Sequence, residues 1–301
     1  MKQQRLEVDS GAFENVGRIS IGKNGVVRMG AGVAFTVGVG QFSLPAYIEN
    51  NGEIFGDVFI KPGGSLFGAG TTYGNIIFDT GSMLRPGASA GLGRMAVGSN
   101  LSLLAGSQID IGINNVLGAR GTTDGWGEIV VGGTVDVQGL ATNPIRLRLN
   151  GLNANSSSGM PLNFNATQPF SIPIIQAAEG ISGFLAAAFR IDLTGFGGGV
   201  SASQFRLQQE SNGLVLSYLP GGVPNIAGDF DSDGDVDGSD FLLWQQNPTG
   251  RSLGDWRTNF GERGVSVVGV PEPSALIQFT ICAFMVVLGR RFGRRESHRC
   301  S

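Results

Sequence analysis

The chain is poor in most of the side chains that do chemistry. Among its 301 residues there is one histidine, His298, and two cysteines, Cys282 and Cys300. All three lie near the C-terminus, so imidazole catalysis, thiol chemistry and disulfides are excluded from the body of the chain. Charged residues are only 15% and the net charge is -3, which offers nucleic acid no general attraction. No stretch of the first half carries a helical period of useful length. The start, Met1 to Asp9, also lacks the apolar core of a secretory signal. Strand-like sequence begins there at once, without the capping segment that keeps a stacked repeat soluble, and this reads as a truncated N-terminus.

What the chain has in abundance is glycine, 50 residues of it. From residue 11 to about 150, short branched or alternating apolar runs are separated by Gly, Asn or Ser at intervals of about 8 to 12 residues, the pattern of many short strands. Examples are Arg18 to Ile21, Val26 to Met29, Asp57 to Ile60, Asn75 to Phe78 and Glu128 to Val131. In Ile145-Arg146-Leu147-Arg148-Leu149 the aliphatic and arginine positions alternate, so one face is buried and the other wet. Phrases recur. Phe13 to Ile19 matches Ile48 to Ile54, and Gly63-Gly64-Ser65-Leu66 is echoed at Gly81 to Leu84 and Gly106 to Ile109. A unit that buries its apolar face only against the next copy predicts a parallel β-helix rather than a sandwich.

Leu84 to Ser89, with its Pro86-Gly87-Ala88-Ser89 turn, is followed by Met95 to Leu103 and Gly106 to Ile111. This order resembles the passenger-associated repeat of autotransporters. The likeness continues through Gly133 to Val137 and Ile174 to Ala177, and closes at Gly213 to Tyr218. It implies a right-handed parallel β-solenoid and no particular activity.

One stretch carries ligand chemistry, Asp229-Phe-Asp-Ser-Asp-Gly-Asp-Val-Asp-Gly-Ser-Asp240. As a twelve-residue calcium loop it places Asp229, Asp231 and Asp233 at positions 1, 3 and 5, and Gly234 at the sharp turn. Asp235 follows with a backbone carbonyl, then Val236, Asp237 at position 9 and Asp240 at position 12. Such a string of carboxylates repels itself unless a cation is present. Phe241 and Trp244 follow on one short helix, and Trp256 and Phe260 at i, i+4 on another. The order resembles a type I dockerin repeat pair, a family that binds cohesin partners through two calcium sites. Here no Asp-rich loop precedes Trp256, so the resemblance implies one Ca2+ rather than two.

The C-terminus reads Val270-Pro271-Glu272-Pro273, then an uncharged run from Ala275 to Gly289, then Arg290, Arg291 and further arginines. As a helix those 15 residues span roughly 22 Å at ~1.5 Å each, short of the ~30 Å hydrocarbon core. Arginines snorkelling from the end, with local thinning of the bilayer, make up the difference. Their excess is retained on the cytoplasmic side, which places residues 1 to 270 outside. The arrangement resembles the PEP-CTERM sorting signal of exported bacterial proteins. That resemblance implies recognition at Pro271, Glu272 and Pro273 by an exosortase-type processing enzyme, a membrane stop at Arg290 and Arg291, and loss of the segment on cleavage.

The expected organisation is a β-solenoid over 1–220, a dockerin-like calcium module over 221–264 and a linker over 265–273. A transmembrane or sorting helix follows over 274–289, and a basic tail over 290–301. Asp57, Asp79, Asp110, Asp124, Glu128 and Asp136 are scattered without pairs, which predicts solvated surface rather than a hydrolase or lyase centre. The favoured function is therefore a non-enzymatic structural or adhesive protein of the cell surface or extracellular matrix. The alternatives are a polysaccharide-degrading β-helix, a glycan-binding module using Tyr47, Tyr73 and Trp126 as stacking platforms, and a cohesin-docking component.

Overall fold

The computed structural model describes residues 4–10, 13–30, 32–38, 46–87, 90–155, 157–222, 226–231, 234–249 and 251–262. Residues 1–265 cluster as one compact unit and 266–301 as another. The second unit, and with it Pro271, Glu272, Pro273, the 274–289 run, Arg290 and Arg291, lies outside the described residues. Among the described residues no helix is long and apolar enough to cross a membrane.

The chain winds in coils of three strands. The first coil is β1 (Gln4–Val8), β2 (Phe13–Asn15) and β3 (Arg18–Ile21); the second is β4 (Gly25–Met29), β5 (Phe35–Val37) and β6 (Ala46–Asn50). Then come β7 (Glu53–Phe55), β8 (Val58–Ile60) and β9 (Gly64–Gly68), and β10 (Thr71–Thr72), β11 (Ile76–Phe78) and β12 (Met83–Pro86). The fifth and sixth coils are β13 (Arg94–Val97), β14 (Leu101–Leu104), β15 (Gln108–Ile113) and β16 (Glu128–Val131), β17 (Val135–Gln138), β18 (Ile145–Gly151). The seventh holds β19 (Phe170–Ala177), β20 (Ile181–Ser182) and β21 (Phe189–Gly195), and β22 (Phe205–Glu210) and β23 (Gly213–Tyr218) end the β region.

Each strand pairs in parallel with its counterpart one coil on, giving three parallel sheets, which is the pairing a β-solenoid requires. The first sheet runs β1, β4, β7, β10, β13, β16, β19; the second begins at β2 and the third at β3. Inward positions stack by type. In the third sheet Ile48, Leu66, Leu84, Ile109 and Leu147 are in successive register, and all are fully buried. Phe35, Val58, Ile76, Leu101 and Val135 do the same in the second sheet. Each such side chain contributes about 1.5–3 kcal/mol by leaving water, but only while the coils on both sides are in place. The alternation expected at Ile145 to Leu149 is present, with aliphatics inside and both arginines out.

The corners explain the recurring phrases. Gly63, Gly81 and Gly106 occupy the same corner, before the third-sheet strand, each at a positive φ of 72–76° that a side chain resists. They form a ladder along the axis: Gly63 N–H donates to Gly81 O at 3.0 Å, and Gly81 N–H to Gly106 O at 2.9 Å. The other phrase does not repeat by coil. Asn15 turns the chain from the second sheet to the third, whereas Asn50 turns it from the third to the first. The two share a local device, a buried side-chain oxygen accepting from the N–H two residues on, at Gly17 (2.9 Å) and Gly52 (3.1 Å). A further ladder runs through Asp57, Asn75, Asn100 and Thr134, each side-chain oxygen accepting from the backbone N–H of the next.

The C-terminal end of the stack is closed by aromatics. β23 pairs antiparallel with β19 and β22, and beneath them Phe164, Phe170, Phe205 and Tyr218 form a ring cluster with centroids 5.0–6.4 Å apart. Tyr218 is fully buried and donates its hydroxyl to Ala166 O at 3.0 Å, so its one polar atom is satisfied.

Two expectations are corrected here. Asp110 and Glu128 are not solvated surface: both are buried, Glu128 between Arg94 (2.8 Å) and Arg120 (3.6 Å), and Asp110 beside Gln108 (2.6 Å) and Arg148 (3.9 Å). Arg94 and Arg148 from neighbouring coils, and Arg120 from the loop that leads into β16, supply the counter-charge a buried carboxylate needs. Trp126 is no stacking platform, because its ring is buried and its Nε1–H donates to Pro173 O at 2.8 Å.

Candidate metal centre

After the strands the chain forms α1 (Gly238–Gln246) and α2 (Leu253–Asn259). The acidic loop leads into α1, and its chemistry starts at the helix N-terminus, where backbone N–H groups have no intrahelical partner. Asp237 is the N-cap and accepts from Ser239 N–H at 2.7 Å. Asp240, three residues on, completes a capping box by accepting from Asp237 N–H at 2.7 Å. Its other oxygen reaches back to Phe230 N–H (2.6 Å) and Asp231 N–H (3.2 Å), drawing the beginning of the loop over the helix end. Asp229 accepts from Gly234 N–H at 2.8 Å, and Gly234 turns the chain at φ 90°. The glycine is required there for the sharp turn.

These bonds bring Asp229, Asp231 and Asp240 together, with one carboxylate oxygen of each lying within 4.8 Å of the others. Oxygens bound to calcium at ~2.3–2.6 Å are separated by up to about 5 Å across the ion, so the triad is of the right size and could hold a metal ion. Asp231 and Asp240 are buried. Burial raises the Asp240 carboxyl above its ordinary value, with the Asp237 charge adding to the effect, against three backbone N–H bonds that lower it. A cation would remove that burial cost.

The other three candidate ligands stand differently. Asp233 lies outside the described residues. Asp235 and Asp237 are not in the group: the Asp235 carboxylate accepts from Arg206 of β22 at 3.3 Å, and that of Asp237 caps α1. The Arg206–Asp235 pair is the functional feature that sequence alone missed. Only the outward position of Arg206 in an alternating strand hinted at it.

The second helix packs against the first through aromatic side chains. Trp256 stacks near Phe241 at 4.9 Å and Phe241 near Trp244 at 5.8 Å. Trp256 Nε1–H also donates to Asp237 O at 2.6 Å, tying α2 directly to the acidic loop. Phe260 lies just beyond α2 and touches Trp256 at 5.0 Å. Val236 is fully buried and exchanges two backbone bonds with the segment after α2, accepting from Gly261 N–H (2.8 Å) and donating to Glu262 O (2.9 Å). Ser252, four residues before Trp256, is the N-cap of α2.

No family model, no curated protein and no solved structure matches this chain.

Proposed function

We propose that this is an exported structural or adhesive protein of the cell surface or extracellular matrix, whose solenoid is the working surface and whose single calcium ion clips a small helical module to it. The observation that carries this reading is the convergence of Asp229, Asp231 and Asp240 beside a strand that grips the same loop through Arg206. Calcium would supply charge neutralisation and a fixed loop geometry, not catalysis. Right-handed coiling, supported by the repeat-like order at residues 84–111, and delivery by a PEP-CTERM-type signal with exosortase processing, supported by the sequence order at residues 270–291, belong to the same reading. Four of the scattered coil carboxylates, Asp57, Asp110, Glu128 and Asp136, each have a structural partner, which supports the non-enzymatic reading.

The test is calorimetric titration of calcium into the full chain in detergent, beside the Asp229→Asn, Asp231→Asn, Asp240→Asn triple variant. One-to-one binding to the parent, lost in the variant, is expected. Undiminished binding by the variant, or none by the parent, refutes the metal site. Mass spectrometry of the protein made in cells bearing an exosortase should show a mature end near Pro273.

A further inference from the structure

The outward face of the third sheet has an unusual vertical distribution of charge. Register places Arg18, Tyr47, Ser65, Met83, Gln108, Arg146 and Arg190 along one row. The adjacent row holds Glu49, Phe67, Arg85, Asp110, Arg148 and Asp192. Each acid lies low beneath an arginine. Side-chain exposure is 64% for Arg18 against 20% for its partner Glu49, 53% for Arg146 against 9% for Asp192, and 39% for Arg148 against 5% for Asp110. The carboxylates are screened from solvent and the guanidinium groups project. Arg190 is exposed at the last coil. Although the whole chain carries a net charge of -3, this face presents cations to the water.

Over its first four coils the strip rests on an aromatic stack. Arg18 lies over the Tyr47 ring at 5.4 Å, Tyr47 against Phe67 at 5.1 Å, and Arg85 over Phe67 at 4.6 Å, so the cationic ends are held upright on an aromatic stack. Between Arg18 in the first coil and Arg190 in the seventh there are six steps of about 4.8 Å, a track of roughly 29 Å.

We infer that the outward face of the third sheet is a binding track for an extended acidic polysaccharide, whose carboxylates are met by Arg18, Arg146, Arg148 and Arg190. Guanidinium forks suit carboxylates. The charges of the recessed Glu49, Asp110 and Asp192 oppose a phosphodiester chain that carries an anion at every unit, and favour a polymer whose acids are spaced apart. The track ends close to the metal centre, since Arg190 and Asp231 line the same pocket.

Native gels cast with carboxymethylcellulose or with hydroxyethylcellulose separate the possibilities, because the two share a backbone and differ in charge. Carboxymethylcellulose should retard the full chain, hydroxyethylcellulose should not, and added salt should abolish the retardation. The Arg18→Gln, Arg190→Gln variant alters two exposed groups and should bind about tenfold more weakly. Should the variant misfold, the salt dependence of the parent still decides. Equal retardation by both polymers, none by either, tighter binding to single-stranded DNA at equal anion concentration, or an unaffected variant would each overturn the inference.

Discussion

Leu84 and Asp240 are both fully buried, yet they are buried by different means. Leu84 lies between Leu66 and Ile109 of the neighbouring coils, and nothing about its surroundings changes with ions or acidity. Asp240 is surrounded by three backbone N–H groups and two further carboxylates. Its burial depends on what neutralises the charge. In the coils stability is shared between neighbours through apolar contact, whereas in the acidic loop it is concentrated at a few polar atoms and set by conditions.

The largest effect should come from the coils. Phe78→Ala removes a fully buried ring from the second sheet and should cost about 3–5 kcal/mol in urea unfolding; a loss below 1 kcal/mol would mean that neighbouring coils do not depend on one another. Calcium removal ranks next. At a free concentration of 100 times Kd the ion contributes about 2.7 kcal/mol, and hydrogen exchange should show the loss in residues 226–262 with protection of the coil amides intact. Equal loss in both regions would erase the contrast between them. Third, Gly81→Ala introduces a side chain that meets nothing within 4 Å but must adopt φ 72°, so the backbone alone should cost about 1–2 kcal/mol. Gly22→Ala, equally open and without a positive φ, is the control and should be neutral or slightly stabilising. The smallest effect tests whether a coil can also respond to pH. Burial raises the Asp110 carboxyl above 3.8, against Gln108 and the surrounding arginines, which lower it. Its stabilising contribution is therefore complete below the unfolded value and lost as pH rises through the raised folded one. Relative to Asp110→Asn, the parent should lose melting temperature over that window; a constant difference between the two melting curves would remove the pH response.

Strands and their inward faces were legible in the sequence because alternation is a local property, as at Ile145 to Leu149. The Gly-Ser corner was legible too, since Gly63, Gly81 and Gly106 each need the same backbone conformation. The likeness of Phe13–Ile19 to Ile48–Ile54 was real but reported only the turn. An Asn that bonds two residues ahead looks the same at either corner, and nothing local says which sheet comes next. Trp126, Asp110 and Glu128 were misread for a related reason: what buries them comes from other coils, Pro173 lying 47 residues from Trp126 and Arg94 lying 34 from Glu128. At the metal centre the spacing of Asp229, Asp231 and Asp240 was sufficient to anticipate the triad. The use of Asp235 by Arg206 was not, because a position in a loop pattern does not reveal a strand packed beside it.

The corners leave the lineage of this protein room to vary. Residues bonded one coil apart are 18 positions apart at Asp57 and Asn75, 34 at Asn100 and Thr134, and 46 at Asp136 and Ser182, yet the second-sheet strands stay in register throughout. Insertions acquired between strands are absorbed as outward excursions, and the pairing above and below need not change. A gene encoding such a stack can therefore diversify its surface one excursion at a time, or duplicate a whole coil, while descendants inherit the same interior.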